Sequence, residues 1–194
     1  MVTLDESYWT GRYGNRDTGW DIGYPSTPLK EYIDQLTDHS ARILVPGAGN
    51  AYEVEYLWRN GFRNTFLLDI SPVPIAEFHN RVPGFPETQL ICEDFFSHNS
   101  AYDLILEQTF FCALHPDQRS EYARKMHGLL VPRGRLAGVL FGVPMNADRP
   151  PFGGSREEYL QYFLPYFDVQ VLGPCYNSIA PRQGNELFMI LQKK

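Results

Sequence analysis

The sequence predicts an α/β fold built on a mostly parallel sheet with helices on both faces. Strand-like and helix-like segments alternate from residue 28 to residue 164, and the strand-like segments are apolar throughout. Strands buried on both faces of a parallel sheet have this continuous apolar character. The glycine-rich turn at 47–49 joins the first such strand to a helix. We expect a single domain spanning 1–194, because a chain of this length buries a sizeable core.

The order of elements follows from apolar runs and from capping residues. Thr27 and Ser71 are each followed by proline, which suits the first turn of a helix. The predicted helices cover 28–36, 50–59, 72–82, 116–130 and 156–164. The predicted strands cover 42–46, 65–68, 89–92, 102–106, 136–141, 168–172 and 187–192. The last two strands have no long helix between them, so the sheet should end in an antiparallel pair. Residues 1–27 show no sustained period.

Composition excludes several classes of protein. The formal net charge is −6 and no block of Lys or Arg stands out, which argues against a nucleic-acid surface. Three cysteines lie far apart without CxxC spacing, so neither a disulfide framework nor a metal site is predicted. The N-terminus lacks the pattern of a signal peptide, and no apolar run approaches the ~20 residues of a membrane span. A cytoplasmic enzyme without a membrane partner is expected.

The loop after the first strand is the first candidate site. Gly47 and Gly49 allow positive φ and let a ligand approach the backbone, and the helix behind them presents free N–H groups. A tight strand-to-helix turn without a ligand would have the same sequence. Asp69 ends the next strand, 20 residues after Gly49, where a carboxylate can accept both hydroxyls of a ribose. A solvated acid that caps the following helix is the alternative.

These two features fit both NAD and S-adenosylmethionine (SAM). Tyr52 stands where the dinucleotide motif has Gly or Ala, and Glu53 follows it; both would oppose a pyrophosphate, whereas SAM has none. Asp94 and Phe95 follow the short third strand, where an acid and an aromatic residue suit adenine. The alternative for such a phenylalanine is core packing. Together these residues favour SAM.

Five blocks of the chain resemble the thiopurine S-methyltransferase family, and most of all its branch of thiocyanate, halide and thiol methyltransferases. They are VPGAGNAYEVEYL, LLDIS, EDFF, YDLILEQTFFCAL and PPFGG. The resemblance implies a class I SAM-dependent methyltransferase fold, Rossmann-like, with seven strands of which the last is antiparallel. It further implies that residues 1–27 cover the cofactor. The expected product of the cofactor is S-adenosylhomocysteine (SAH).

The resemblance also assigns cofactor-binding residues. In relatives, aromatic residues at the positions of Trp9, Tyr13 and Trp20 help enclose SAM, whose sulfonium is attracted to aromatic faces. By the same matching, Gly47 contacts the methionine part, Asp69 the ribose, and Asp94 with Phe95 the adenine. Thiopurine-type members carry Arg near the position of Gln108, so this difference counts against a thiopurine substrate. The predicted cofactor set is Trp9, Tyr13, Trp20, Gly47, Ala48, Gly49, Asp69, Ile70, Asp94, Phe95 and Gln108.

The methyl acceptor is expected to be a small soft nucleophile, such as a thiol, thiocyanate, halide, thiopurine, or a selenium or tellurium species. Such a group needs no strong base, so no catalytic residue is assigned and His98 and His115 are weak candidates. Gly153 and Gly154 are candidate lid hinges. The predicted substrate set is Phe110, Phe111, Phe152, Tyr176 and Arg182. Arg182 is equally readable as a surface arginine. An O- or N-methyltransferase and a non-catalytic SAM-binding protein remain alternatives, and a monomer is expected.

Overall fold

The computed structural model describes residues 3–194, so the first two residues of the predicted N-terminal segment lie outside the description. The helices are α1 (Glu6–Gly14), α2 (Thr27–Ile33), α3 (Tyr52–Arg59), α4 (Pro72–Arg81), α5 (Arg119–Leu129) and α6 (Arg156–Phe163). The strands are β1 (Ile43–Pro46), β2 (Thr65–Asp69), β3 (Leu90–Cys92), β4 (Tyr102–Gln108), β5 (Leu130–Phe141), β6 (Phe167–Pro174) and β7 (Glu186–Lys193).

All seven strands form one sheet in the order β3-β2-β1-β4-β5-β7-β6. The pairs β1–β2, β2–β3, β1–β4 and β4–β5 are parallel, whereas β7 is antiparallel to both β5 and β6. This confirms the predicted fold class with its antiparallel last strand. The chain runs outward from β1 to β3 and then returns to place β4 beside β1. The carboxyl ends of β1 and β4 therefore border a crevice of the kind in which open α/β sheets bind ligands.

Apolar side chains fill the space on both faces of the sheet. One buried cluster joins strand residues such as Leu44 and Ile105 to Tyr122 of α5 and Phe163 of α6. The other joins Val45 of β1 to residues of α2, α3 and α4. Each face of the sheet is thus covered by helices, as predicted. Within residues 3–194, no helix has the length and apolar character needed to cross a membrane.

Several elements differ from the sequence prediction, among them α1, β5 and α3. Helix α1 lies in the segment for which no helix was predicted; Asp5 caps it by accepting the Tyr8 N–H. Strand β5 begins at Leu130 instead of residue 136, because the Pro-Arg-Gly segment continues the strand through a bulge at which Arg133 has a φ of 64°. Helix α3 begins at Tyr52 instead of residue 50, because Ala51 is left-handed, with a φ of 52°.

Candidate active site

The glycine loop between β1 and α3 has backbone φ angles that residues other than glycine rarely adopt. The φ angles of Gly47, Gly49 and Ala51 are 74°, 51° and 52°. A methyl group at Gly47 would lie 2.6 Å from Cδ2 of the Phe110 ring. Glycine is therefore needed at this position for two reasons. It permits the positive φ, and it lets the ring of Phe110 lie directly against the loop.

Asp69, at the end of β2, holds this loop in place through hydrogen bonds that its carboxylate accepts. Its Oδ2 accepts the Ala48 N–H at 2.7 Å and its Oδ1 accepts the Ser71 N–H at 2.8 Å. The residue is 6% exposed, and burial raises the pKa of Asp69 to about 6, although the backbone hydrogen bonds oppose that rise. A carboxylate offers about four acceptor positions, so two remain for a ligand after the backbone bonds are made.

A cavity of about 390 Å³ opens above the loop, which is a size that suits a small-molecule ligand. Most residues of the predicted cofactor set line it, together with two of the predicted substrate set. They are Trp9, Tyr13, Trp20, Gly47, Ala48, Gly49, Asp69, Ile70, Gln108, Phe110 and Arg182. The Oε1 atom of Gln108 is buried and has no hydrogen-bond partner among the described residues, so this amide is free to bind a ligand donor.

Three aromatic side chains of the N-terminal segment close one side of the cavity. Trp20 packs edge-on against Trp9 and Tyr13, with ring centroids 5.8 and 5.6 Å apart. The Trp20 indole also faces Gly49, since a methyl group there would lie 3.7 Å from the ring. Burial, and the nearby Asp69, raise the pKa of the Tyr13 phenol, so Tyr13 stays neutral. The three rings thus form an aromatic surface on which the Tyr13 phenol carries no charge. Aromatic faces attract cations, so this surface suits a cationic ligand group.

Polar contacts fasten this segment to the domain. The Thr10 and Ser71 hydroxyl oxygens are 2.8 Å apart, and Asn50 Nδ2 donates to Asp21 Oδ2 at 2.6 Å. The Ser26 N–H donates to the buried Glu53 Oε1 at 2.8 Å. These contacts reach α4, the glycine loop and α3 respectively. The N-terminal segment is therefore an integral wall of the cavity.

Arg182 makes a further connection across the cavity. Its Nη2 donates to the Trp20 carbonyl oxygen at 2.9 Å, and its Nη1 lies 3.4 Å from Glu186 Oε1. The Arg182 side chain is largely buried. It is therefore not a surface arginine, and its terminal nitrogens already bind the Trp20 carbonyl and Glu186.

A second set of lining residues forms what we call the apolar wall. It comes from two segments, 109–114 and 141–154. The sequence predicted Phe110 for the acceptor site, and it also predicted that the PPFGG loop, which carries Pro150 and Pro151, lies there. The wall consists of Phe110, Leu114, Phe141, Met145, Pro150 and Pro151. The Pro/Gly-rich composition of 144–154 did indicate a loop near the site. It gave no sign of which side chains of that loop face inward.

Three residues of the predicted substrate set do not line the cavity. Phe111 is 1% exposed and packs in the core against Tyr122 and Phe163. Phe152 is 2% exposed and lies edge-on to His115. Tyr176 is 82% exposed and donates its hydroxyl to Glu31 on α2. These assignments are corrected: two of the rings belong to the packed interior and the third lies on the surface. The candidate hinge at Gly153 and Gly154 is a place where only glycine fits, because a methyl group at Gly153 would lie 1.9 Å from the Val143 carbonyl oxygen.

The predicted adenine contacts also lie outside the cavity lining. Asp94 is exposed, and its Oδ1 accepts the Phe96 N–H at 3.1 Å, which stabilises the turn after β3. Phe95 is buried beside Phe110 and Tyr122, with ring centroids 5.1 and 5.8 Å away. For this phenylalanine, the core-packing alternative describes the observed contacts. Phe95 supports the cavity indirectly by packing behind the ring of Phe110.

The carboxylates that line the cavity all have structural hydrogen bonds, and no other acid–base group of the usual kind lies beside them among the described residues. Among the described residues that line it there is no histidine. The lining carboxylates are Asp21, Glu53 and Asp69, and each already accepts a backbone N–H. His98 instead binds Glu93 and the Tyr102 hydroxyl, and His115 caps the turn before α5. Within residues 3–194, no group of three or more potential ligand residues could hold a metal ion.

The fold is that of the class I SAM-dependent methyltransferases. A didemethyltoxoflavin N1-methyltransferase from Burkholderia thailandensis, solved with S-adenosylhomocysteine, superposes with a TM-score of 0.75 at 19% identity, covering 97% of this chain and 87% of that one. A TehB-like SAM-dependent methyltransferase from Corynebacterium glutamicum superposes with a TM-score of 0.66 at 19% identity, covering 97% and 98%. These likenesses show the fold.

The chain belongs to the thiopurine S-methyltransferase family, whose model matches residues 4–189. It is 29% identical over 184 residues to a probable thiol methyltransferase 2 of Arabidopsis thaliana, covering 92% of this chain and 81% of the relative. It is 28% identical over 190 residues to thiocyanate methyltransferase 1 of Brassica oleracea, covering 95% and 84%. A thiopurine S-methyltransferase of Acinetobacter baylyi is 22% identical over 208 residues, covering 94% of both chains. The resemblance stated from the sequence motifs is thereby confirmed.

Proposed function

We propose that this enzyme transfers a methyl group from SAM to a small sulfur nucleophile, or a related soft anion, that reaches the apolar wall already ionised. One observation carries the proposal: the cavity combines an apolar wall with carboxylates that are all engaged in backbone hydrogen bonds. An acceptor that must lose its proton inside the cavity would find no histidine among the described lining residues, and only carboxylates that already hold the backbone. A thiol with a pKa of ~8.5 is already partly ionised in neutral solution, and thiocyanate is an anion.

The residues present fit the cofactor. Asp69 retains two acceptor positions for ribose hydroxyls, and the aromatic surface of Trp9, Tyr13 and Trp20 suits the sulfonium. The amide of Gln108 is available to a polar group of the methionine part. When bound, SAM supplies a methyl group that its sulfonium has already activated.

The protein then contributes position and exclusion of water. The N-terminal segment closes one side of the cavity, and the apolar wall weakens the hydration of an anionic acceptor. Phe110 belongs to this wall and also lies against Gly47, so it links the acceptor side of the cavity to the cofactor loop. No proton transfer to the protein is required, because an ionised sulfur has no proton to lose.

Small acceptors are proposed ahead of thiopurines. Both arginines that line the cavity are engaged: Arg182 with Trp20 and Glu186, and Arg12 with Asp17 and Tyr8. Gln108 is neutral, and it lies near the position at which the family resemblance places an arginine in thiopurine-type members. The names of the thiol and thiocyanate relatives point the same way. A cytoplasmic monomer without a nucleic-acid partner remains our expectation for the whole protein.

A methylation screen with labelled SAM tests the proposal. The panel contains hydrosulfide, thiophenol, thiocyanate, iodide, 6-mercaptopurine, selenite and tellurite, with catechol and a primary amine as oxygen and nitrogen acceptors. We expect turnover with hydrosulfide, thiophenol or thiocyanate that exceeds turnover with 6-mercaptopurine. Turnover confined to catechol or the amine would favour the alternative of an O- or N-methyltransferase. SAH binding without turnover of any acceptor would favour a non-catalytic SAM-binding protein.

A further inference from the structure

Two separate segments form the apolar wall, and they are joined behind it. Residues 109–114 follow β4, whereas residues 141–154 begin at the last residue of β5. The Phe152 N–H donates to the Cys112 carbonyl oxygen at 2.7 Å and so joins the two segments, whereas the bond from the Gly154 N–H to the Val143 carbonyl oxygen, at 3.1 Å, lies within the second segment. The shape of the wall therefore depends on how these two segments are held relative to each other.

Arg119 contacts both segments from behind the wall without lining the cavity. Its side chain is 2% exposed, its Nη2 donates to the Gly153 carbonyl oxygen at 2.9 Å, and its Nη1 binds Glu158 Oε1 at 2.5 Å. Its guanidinium carbon lies 5.0 Å from the centroid of the Phe111 ring. One buried cation thus touches the carbonyl of one segment and the aromatic ring of the other.

Not every hydrogen-bond donor of Arg119 has a partner among the described residues, so its contribution to stability and its contribution to positioning must be considered separately. Its Nε is buried and has no hydrogen-bond partner in the described part of the chain. Moving a charge into the interior has a large desolvation cost, and a buried ion pair often stabilises a fold no more than apolar residues of the same volume would. Its planar fork does, however, fix the positions of the groups that it binds.

We propose that Arg119 is a positioning residue that sets the shape of the apolar wall and thereby the affinity for the methyl acceptor. This inference rests on the proposed function, since it takes the apolar wall as the acceptor site. Arg119 acts through Gly153 and Phe111, which in turn place Pro150, Pro151 and Phe110. It does not touch Asp69 or the glycine loop, so cofactor binding should not depend on it.

The test uses Arg119→Met and Arg119→Lys. Methionine removes the charge and the fork, whereas lysine keeps the charge and loses the planar fork. The matched control is Arg124→Met on the same helix, whose arginine is exposed and pairs with Glu121. Glu158→Gln is a milder variant: it removes the charge that holds the guanidinium in its orientation, and so loosens the Gly153 contact while the arginine itself stays.

With thiophenol as acceptor, we expect Arg119→Met and Arg119→Lys to raise the acceptor KM by about tenfold, since small displacements of a binding wall have large effects. The kcat at saturating acceptor and the Kd for SAH should change less than about twofold. An unchanged acceptor KM in a folded variant, or a parallel loss of SAH affinity, would overturn the proposal. Should both substitutions at Arg119 prevent folding, the acceptor KM of Glu158→Gln decides in the same way.

Hydrogen exchange gives a readout that does not depend on the acceptor. In Arg119→Met, the amides of Phe152 and Gly154 should exchange about tenfold faster, whereas amides of the β5–β7 pairing such as Leu191 keep their protection. Unchanged protection at Phe152 would contradict the positioning role. If the wild type does not methylate thiophenol, the proposed function fails for that acceptor, and the exchange measurement still decides whether Arg119 holds the two segments together.

Discussion

The side chain of Asp69 accepts a hydrogen bond from the backbone N–H of Ala48, with 2.7 Å between Oδ2 and the amide nitrogen. This bond joins the end of β2 to the glycine loop after β1. A residue proposed to bind the ribose is therefore also the residue that holds the loop in place. Cofactor affinity and loop geometry should consequently respond together to changes at Asp69.

Asp69→Ala should weaken SAH binding by about 1–3 kcal/mol, the usual cost of losing hydrogen bonds to a charged group. Isothermal titration calorimetry measures the change. Asp168→Ala is the matched control, because Asp168 is an exposed carboxylate on β6, at the far edge of the sheet. Equal SAH affinity in folded Asp69→Ala and wild type would remove Asp69 from the ribose site.

SAH affinity should fall as the pH drops below about 6. Burial raises the pKa of Asp69 from 3.8 to about 6 in the free protein. Ribose hydroxyls donate to the ionised carboxylate, so binding favours that form and lowers its pKa. Affinity is then complete above pH 6 and is lost by up to about tenfold per pH unit below it. In Asp69→Asn this dependence should disappear; its persistence would assign the titration to another group.

Glu107 should make the protein less stable as the pH rises from about 4.5 to about 7. It is fully buried, it accepts the Tyr122 hydroxyl at 2.6 Å and the Phe111 N–H at 2.9 Å, and burial raises the pKa of Glu107 from 4.5 to about 7. A raised carboxyl pKa means that the folded state binds the proton more tightly. Its stabilising effect is complete below pH 4.5 and is lost by pH 7, with a limit of about 3 kcal/mol.

Urea unfolding of Glu107→Gln between pH 5 and pH 8 measures this effect. The glutamine keeps the shape and cannot ionise, so its free energy of unfolding should vary less with pH than that of the wild type. Glu157→Gln, on the exposed face of α6, serves as the control. Parallel curves for wild type and Glu107→Gln would show that Glu107 does not titrate in this range.

Gly47→Ala should impair both stability and SAH binding. The added methyl group would lie 2.6 Å from the Phe110 ring at a φ of 74°, so strain and steric overlap act together. We expect a loss of about 1–3 kcal/mol in the free energy of unfolding. Phe110→Ala in the same chain should recover the steric part, which a double-mutant cycle separates from the strain. Gly128→Ala is the control, because it has open space in α5 and should stabilise by about 0.5–1 kcal/mol.

The parts of the site that sequence could predict are those set by local backbone chemistry. The glycines after β1 and the acid ending β2 are recognisable because they sit at fixed points of a strand–turn–helix pattern. Phe110 and Phe111 show the limit: they are adjacent and chemically alike, yet one lines the cavity and the other packs in the core. Their directions depend on a positive φ of 60° at Thr109 and on the turn that follows it, which no side-chain pattern reveals.

Contacts between residues that are far apart in the sequence were the other part of the structure that the sequence could not predict. Nothing local indicates that Tyr176 reaches Glu31, that Arg182 binds the Trp20 carbonyl, or that Arg119 reaches Gly153. Helix α1 was missed for a related reason. Helix α1 has only one buried residue, Tyr13, so the segment lacks the regular spacing of apolar residues that identifies a helix.

The central claim is that the acceptor reaches the apolar wall already ionised and needs no base from the protein. The most direct test compares the pH dependence of kcat/KM for thiocyanate and for a thiol between pH 6.5 and pH 9.5. We predict a flat profile for thiocyanate and, for the thiol, a rise that levels off at that thiol's own pKa. The same bend at one pH for several thiols of different pKa would reveal a titrating base on the protein and would contradict the claim.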